Sequence, residues 1–208
     1  MQIYSIIWDL GGVLVRTEDH SPRDQLAQRL GMTRNDLSNL VFGGREDSRG
    51  QLGEISYEAH WENVAAKLGL EAAEIPTVQR EFFGGDVLDR QLIDAIRHLK
   101  KSYCSGLLSN AFSNLRDLIY NEWQIEDAFH NLIISAEYGM MKPDLAIYDL
   151  TLEITGFAPE ETVFIDDFPQ NIAGAREVGM HGILFQSPQQ AMHELHALLG
   201  DKVGVIPR

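Results

Sequence analysis

Residues Ile3 to Trp8 form a short, mostly apolar run that stops at Asp9 and the pair Gly11-Gly12. A run of this length closed by turn residues reads as a buried strand entering a tight loop. Comparable runs return much later, at Tyr103–Ser109, Glu161–Ile165 and Gly182–Phe185, with a less regular one at Asn131–Ser135. Helical patterns lie between them. Gln91–Lys100 places Leu92, Ile93, Ile96 and Leu99 on one face, and Leu145–Ile154 sets Ile147, Leu150 and Ile154 at helical spacing behind a Lys-Pro-Asp start. Asn171–Val178 and Pro188–Leu199 complete the alternation. Strand and helix in repeated turn predict the α/β class: a doubly wound parallel sheet with helices on both faces.

The stretch Glu18–Gly84 breaks that rhythm. It carries successive helical patterns, among them Arg23–Leu30, Thr33–Val41 and Ser56–Leu68, and no convincing strand. Thr33 and Ser56 are suitable N-caps. The expected architecture is therefore an α/β core of residues 1–16 and 85–208, with an α-helical cap of residues 17–84 inserted after the first strand. Asp201–Arg208 reads as a short terminal extension.

Composition narrows the partners. A formal charge of −14 argues against nucleic acid, whose phosphates need a basic surface, but leaves room for a small phosphorylated substrate met by a local cation. Cys104 is the sole cysteine, so an internal disulfide is impossible and a thiolate metal cluster is not expected. The first apolar stretch is interrupted by Asp9 and lacks a basic leader, which reads as a strand rather than a signal peptide or membrane span. A cytoplasmic protein with no membrane and no partner protein is the expectation.

In open α/β sheets, ligands bind beyond the carboxyl ends of the strands. Asp9 ends the first run, Ser109-Asn110 end the second, and Asp166-Asp167 end the fourth; Lys142, within Gly139-Met-Met-Lys-Pro-Asp144, follows the third. Three carboxylates, a hydroxyl, an amide and an ammonium on one rim can hold a hard divalent cation and a phosphate together. A carboxylate can attack phosphorus, splitting hydrolysis into two easier steps. Mg²⁺ takes oxygen ligands, commonly one or two carboxylates besides water and phosphate, and offsets the repulsion between anionic nucleophile and anionic substrate. Lysine, hydroxyl and backbone N–H groups stabilise the transferring charge. Alone, Asp-Leu-Gly-Gly is ordinary turn chemistry, Asp166 or Asp167 could N-cap the next helix, and Lys142 could be a solvated lysine.

Taken in order, strand-Asp, strand-Ser, Lys-Pro and strand-Asp-Asp resemble the four motifs of the haloacid dehalogenase-like hydrolases, over nearly the whole chain. The helical stretch resembles their helical cap. The resemblance implies Mg²⁺ as cofactor, Asp9 as nucleophile and metal ligand, the Gly11 carbonyl and Asp167 as further ligands, and Asp166 as support for the metal's water shell or Lys142. It further implies that Ser109 and Lys142 bind the transferring phosphoryl group, with Asn110 beside it and Gly12 letting the backbone approach. One departure matters: most phosphatases of this superfamily carry an acid/base aspartate where this chain has Gly11. Its loss can remove a factor of about 10²–10⁴ where proton transfer limits the rate. The Trp8–Leu14 stretch, Gly53-Glu-Ile-Ser and Asp166-Asp167 are most similar to bacterial α-D-glucose-1-phosphate phosphatases, which share the glycine, so a sugar phosphate is the expected substrate. The competing readings are a metal-independent 2-haloacid dehalogenase, which would gain nothing from the second carboxylate of Asp166-Asp167, and a catalytically silent protein that binds a phosphometabolite.

The insertion offers further candidates. Arg16, Glu18, Asp19 and His20 follow the first motif, and Arg45 and Arg49 are candidates for a sugar or second phosphate, although a solvated charged loop accounts for them equally well. Tyr57 and Trp61 stand at i,i+4, a spacing more common in core packing than in a binding face. His193 and His196 fall on a predicted helix far from every motif and read as surface.

Overall fold

The structure is a computed structural model and describes residues 2–42 and 48–200. The described residues form seven strands: β1 (Ser5–Trp8), β2 (Val15–Thr17), β3 (Asp86–Leu88), β4 (Cys104–Ser109), β5 (Asn131–Ile134), β6 (Thr162–Asp166) and β7 (His181–Leu184). Ten α-helical segments accompany them among the described residues. Four lie in the insertion: α1 (Ser21–Arg29), α2 (Arg34–Val41), α3 (Tyr57–Leu68) and α4 (Ile75–Phe83). The remainder are α5 (Arg90–Leu99), α6 (Leu115–Asp117), α7 (Ser135–Tyr138), α8 (Leu145–Thr155), α9 (Pro169–Glu177) and α10 (Pro188–Leu199).

Five strands form one sheet in the order β5-β4-β1-β6-β7, every pairing parallel. The five apolar runs are these five strands. Side chains alternate through the sheet as the pleat requires. Ile6, Trp8, Leu107, Val163 and Ile165 pack on one face with Ile93 and Ile96 of α5 and Leu195 of α10. Ile7, Leu108 and Phe164 pack on the other with Ile147 and Tyr148 of α8 and Ile172 of α9. Helices cover both faces, so the α/β, doubly wound parallel architecture with a helical insertion holds. The chain turns to opposite sides of β1, which lies between β4 and β6. That reversal opens a crevice where the ends of the three strands meet.

The insertion has its own apolar cluster of Leu26, Leu37, Val41, Trp61, Val64, Val78 and Phe82. Burying each such side chain contributes roughly 1.5–3 kcal/mol, more than the ~1 kcal/mol of a cap. Packing therefore makes these helices, and the caps set where they begin. Thr33 Oγ1 accepts from the Asp36 N–H at 3.1 Å and Ser56 Oγ from the Ala59 N–H at 3.1 Å, as their sequence positions indicate. Trp61 is buried in this cluster and Tyr57 packs against it, so the pair serves the core. The chain leaves and re-enters the α/β core through an antiparallel ribbon of β2 and β3, with Arg16 opposite Val87. Arg16 braces the junction, donating to Asp89 Oδ2 at 2.8 Å and to the Val13 carbonyl at 2.7 Å. It is thus committed to the ribbon, while Glu18, Asp19 and His20 are exposed. His193 and His196 lie exposed on α10. Among the described residues no helix is long and apolar enough to cross a membrane.

Candidate active site

Parallel register brings the motif residues together. Trp8 pairs with Ile165 on one side and Leu107 on the other, so Asp9, Ser109 and Asp166 emerge at one end of neighbouring strands. The Asp9 N–H donates to the Ile165 carbonyl at 2.9 Å, which holds Asp9 in line with the sheet before the chain turns. The turn closes at once: the Leu14 and Val15 N–H groups both reach the Leu10 carbonyl at 2.8 Å. Gly12 has a φ of +77°, and a Cβ placed there would lie 2.2 Å from Asp167 Oδ2. Only glycine lets the first loop press against that carboxylate.

Lys142 is buried, 2% exposed, with its ammonium between two carboxylates. Nζ lies 2.7 Å from Asp9 Oδ1 and 2.7 Å from Asp166 Oδ2, and donates to the Leu108 carbonyl at 3.1 Å. Its three donors thus have three acceptors. The ring of Phe164 lies 5.2 Å away, close enough for a cation–π contact. A solvated surface lysine is thereby ruled out.

Asp166 is fully buried and its oxygens are well supplied. Besides Lys142, it accepts from the Phe168 N–H at 2.7 Å and from Asn171 Nδ2 at 3.0 and 3.1 Å. Its contact with Lys142 accords with the expected support of that lysine, and its carboxylate also lies in the cluster that could hold a metal ion. The helix that follows has Phe168, not either aspartate, at its N-cap, without a side-chain cap. Asn110 lies beside Lys142. Its Nδ2 donates to the Lys142 carbonyl and its Oδ1 accepts from the Lys142 N–H, both at 2.8 Å, so the side chain shapes the lysine loop. Ser109 is buried at the end of β4. Gly11 is exposed, and nothing lies within 4 Å of where its Cβ would be. Arg45 lies outside the described residues, and Arg49 is exposed.

Sequence reasoning missed Asn171. Its signal was its place in the first turn of the helix after Asp166-Asp167, where a polar side chain can reach back to the strand end. Tyr148 fixes it further, donating to the Asn171 carbonyl at 2.8 Å.

The chemistry of the donor set fits a hard cation. Carboxylate oxygens of Asp9, Asp166 and Asp167 lie within 4.8 Å of one another. Three carboxylates face one ammonium, and Asp167 Oδ1 is buried without a hydrogen-bond partner. Burial raises Asp9 to about 8, with Lys142 opposing and Asp166 adding to the rise. Burial likewise lifts Asp167 to about 6, with Asp166 contributing. For Lys142, burial disfavours the charge, but Asp9 and Asp166 outweigh it and its pKa is raised. An oxygen-seeking divalent cation would relieve this excess negative charge, with Asp9 and Asp167 the carboxylates that have capacity to spare.

A stability consequence follows. Both carboxylates titrate above their unfolded values, so between about pH 4 and 8 these two groups hold more protons in the folded chain than in the unfolded one. Without metal, these two groups should lower stability as pH rises through that window. Mg²⁺ competes with the protons, so its stabilisation should be larger at about pH 8 than at about pH 5. Urea denaturation of metal-free protein at both pH values, with Asp167→Asn as reference, checks this. A steeper fall with pH in the variant than in the native chain would contradict it.

Comparisons with known proteins agree with the geometry. Residues 5–179 match the family model described as haloacid dehalogenase-like hydrolase. The chain is 28% identical over 199 residues to the sesquiterpene phosphatase astK of Aspergillus oryzae, covering 93% of this chain and 95% of that one. It is 26% identical over 212 residues to a D-ribitol-5-phosphate phosphatase of Bacteroides thetaiotaomicron, covering 95% and 98%. It spans only 23% and 21% of the bifunctional epoxide hydrolase 2 chains of Rattus norvegicus and Mus musculus. A solved structure from Porphyromonas gingivalis, described as a HAD-like family hydrolase, shares the fold with a TM-score of 0.79 at 23% identity, over 97% of this chain and 100% of that one.

Proposed function

The chain belongs to the haloacid dehalogenase-like hydrolase family, and we propose that it is a Mg²⁺-dependent phosphatase of small phosphorylated metabolites, with sugar phosphates as its preferred class. One observation carries the reading: Asp9 sits against Lys142 at 2.7 Å, beside an Asp167 oxygen that is buried and unpartnered. The names of the two phosphatase relatives support the reaction type. Their alcohols differ, a sesquiterpene in one and a sugar alcohol in the other, so the sugar preference rests on the motif resemblance.

In this reading an Asp9 carboxylate oxygen attacks phosphorus, the bond from phosphorus to the leaving oxygen breaks, and Asp9 carries the phosphoryl group. Water then attacks that phosphorus, releasing inorganic phosphate and restoring the carboxylate. Asp9, Asp167 and the Gly11 carbonyl would hold Mg²⁺, which when bound supplies positive charge against the phosphate oxygens. Ser109 donates to a phosphoryl oxygen. Lys142, one contact from the attacking carboxylate, keeps Asp9 oriented and shares its charge with the phosphoryl group. Asp166 and Asn171 keep Lys142 in place. Taking residues 17–84 as a cap, we assign substrate choice to it.

Gly11 leaves the departing oxygen without an aspartate to protonate it. A good leaving group such as an anomeric sugar oxygen suits that condition. The open space at Gly11 gives a direct test. Gly11→Asp should enter without a clash and speed release from alkyl phosphates, by up to about 10²-fold, with a smaller gain on glucose 1-phosphate. An equal loss on both substrates would contradict the idea that only the acid is lacking. The class itself is tested by assaying phosphate release from sugar phosphates with and without Mg²⁺, alongside halide release from a 2-haloacid. Metal-dependent phosphate release supports the proposal. Metal-free halide release, or ligand binding with no turnover at all, would replace it.

A further inference from the structure

We propose that Ser135 and Phe112 couple the seating of the helical cap to the loop that follows Ser109. The proposal rests on the reading that this loop receives the phosphoryl group. Ser135, at the end of β5, is fully buried. Its Oγ accepts from the Ala111 N–H at 3.0 Å. The hydroxyl has one proton and two acceptors within reach: the Gln51 carbonyl of the cap at 2.6 Å and the Ala111 carbonyl of the core at 3.2 Å. The shorter contact takes the proton while the cap is seated. Lifting the cap leaves the proton to Ala111. The same hydroxyl therefore touches both the cap and the residue two positions after Ser109.

Phe112 is the second connection. The residue belongs to the core loop, yet its ring lies 4.5 Å from that of His60 and 5.8 Å from that of Tyr57, both on α3 of the cap. A Cβ at Gly50 would come within 2.7 Å of the Phe112 ring. The seam is equally tight beside Ser135. Gly53 has a φ of +73°, and a Cβ there would stand 2.1 Å from the Ala136 carbonyl. Any side chain at Gly53 must prop the cap loop away from the core. Residues 50–53 thus seat on residues 111–112 and 135–136, and the loop that follows Ser109 is anchored on one side by the cap.

The experiment compares the native chain with Gly53→Ala, which wedges the seam without altering Ser135, Phe112 or the phosphoryl-binding residues. Amide hydrogen exchange is read in the ligand-free protein, with the amides of β6 and β7 as internal reference. The Ala111 amide is expected to exchange about tenfold faster in the variant while the reference amides change less. Exchange at Ala111 that stays native, or that rises only in step with β6, would overturn the coupling. A second readout uses kcat/KM for glucose 1-phosphate in Gly53→Ala, Ser135→Ala and the double variant. Coupling predicts a double variant no worse than about the poorer single one, and multiplying losses would overturn it. Absence of phosphate release from the native chain would instead remove the catalytic reading, since the exchange measurement needs no turnover.

Discussion

Replacing Asp9 by Asn is expected to cut phosphate release by about 10⁴-fold or more, because the proposed mechanism makes its carboxylate oxygen the attacking atom. The change is confined to chemistry. Asn is nearly the shape of Asp, and burial already lifts the Asp9 pKa to about 8, so the pocket tolerates a neutral group there. Lys142 keeps Asp166 as its partner at 2.7 Å. The variant should therefore fold, with metal-free stability equal to or above that of the native chain. Such a trade between function and stability is expected where like charges are gathered for catalysis. Parallel assays of turnover and thermal unfolding check both halves. More than about one per cent residual activity would remove Asp9 from the nucleophile's role.

Lys142→Met has the largest expected effect on stability. Met preserves much of the volume, so the loss is chiefly one of charge. Removing one partner from a buried ion pair costs roughly 3–5 kcal/mol, because the remaining charges stay buried and uncompensated. Here three carboxyl groups would be left without a cation, although Asp9, lifted to about 8 even beside Lys142, keeps its proton at neutral pH and limits the cost. The penalty should shrink at lower pH, where Asp167 also takes up a proton, and should shrink again with Mg²⁺. Activity should be lost as well. Urea titrations at two pH values, with and without Mg²⁺, measure each part. A Met variant as stable as the native chain in metal-free neutral buffer would show that the ammonium is not the charge that holds the pocket together.

Much of this was legible because strand ends advertise themselves. Asp9, Ser109 and Asp166 each close an apolar run, and a parallel sheet gathers such ends on one rim. The strands themselves were read correctly because both faces are buried, which leaves unbroken apolar runs. The ribbon of β2 and β3 was not seen, since each strand has three residues and their partners lie across the whole insertion. The burial of Lys142 had no sequence signal of its own; it depends on Asp166 and Phe164, which a linear reading cannot place beside it. The same holds for Asn110, whose amide matches the Lys142 backbone 32 residues away, and for Ser135, whose bond to Gln51 spans 84 residues. Local patterns carry local structure, whereas the long-range polar contacts that tune the site emerge only when the chain is folded.

The central claim, that Asp9 and Mg²⁺ together accept a phosphoryl group, can be tested without knowing the metabolite. Beryllium fluoride forms a tetrahedral adduct on a carboxylate that mimics a bound phosphoryl group, and fluorine NMR reports it. The account predicts a bound fluorine signal in the native protein with Mg²⁺, its loss when the metal is chelated, and its absence in Asp9→Asn. A signal that persists in the variant, or that never forms in folded native protein with Mg²⁺, would contradict it.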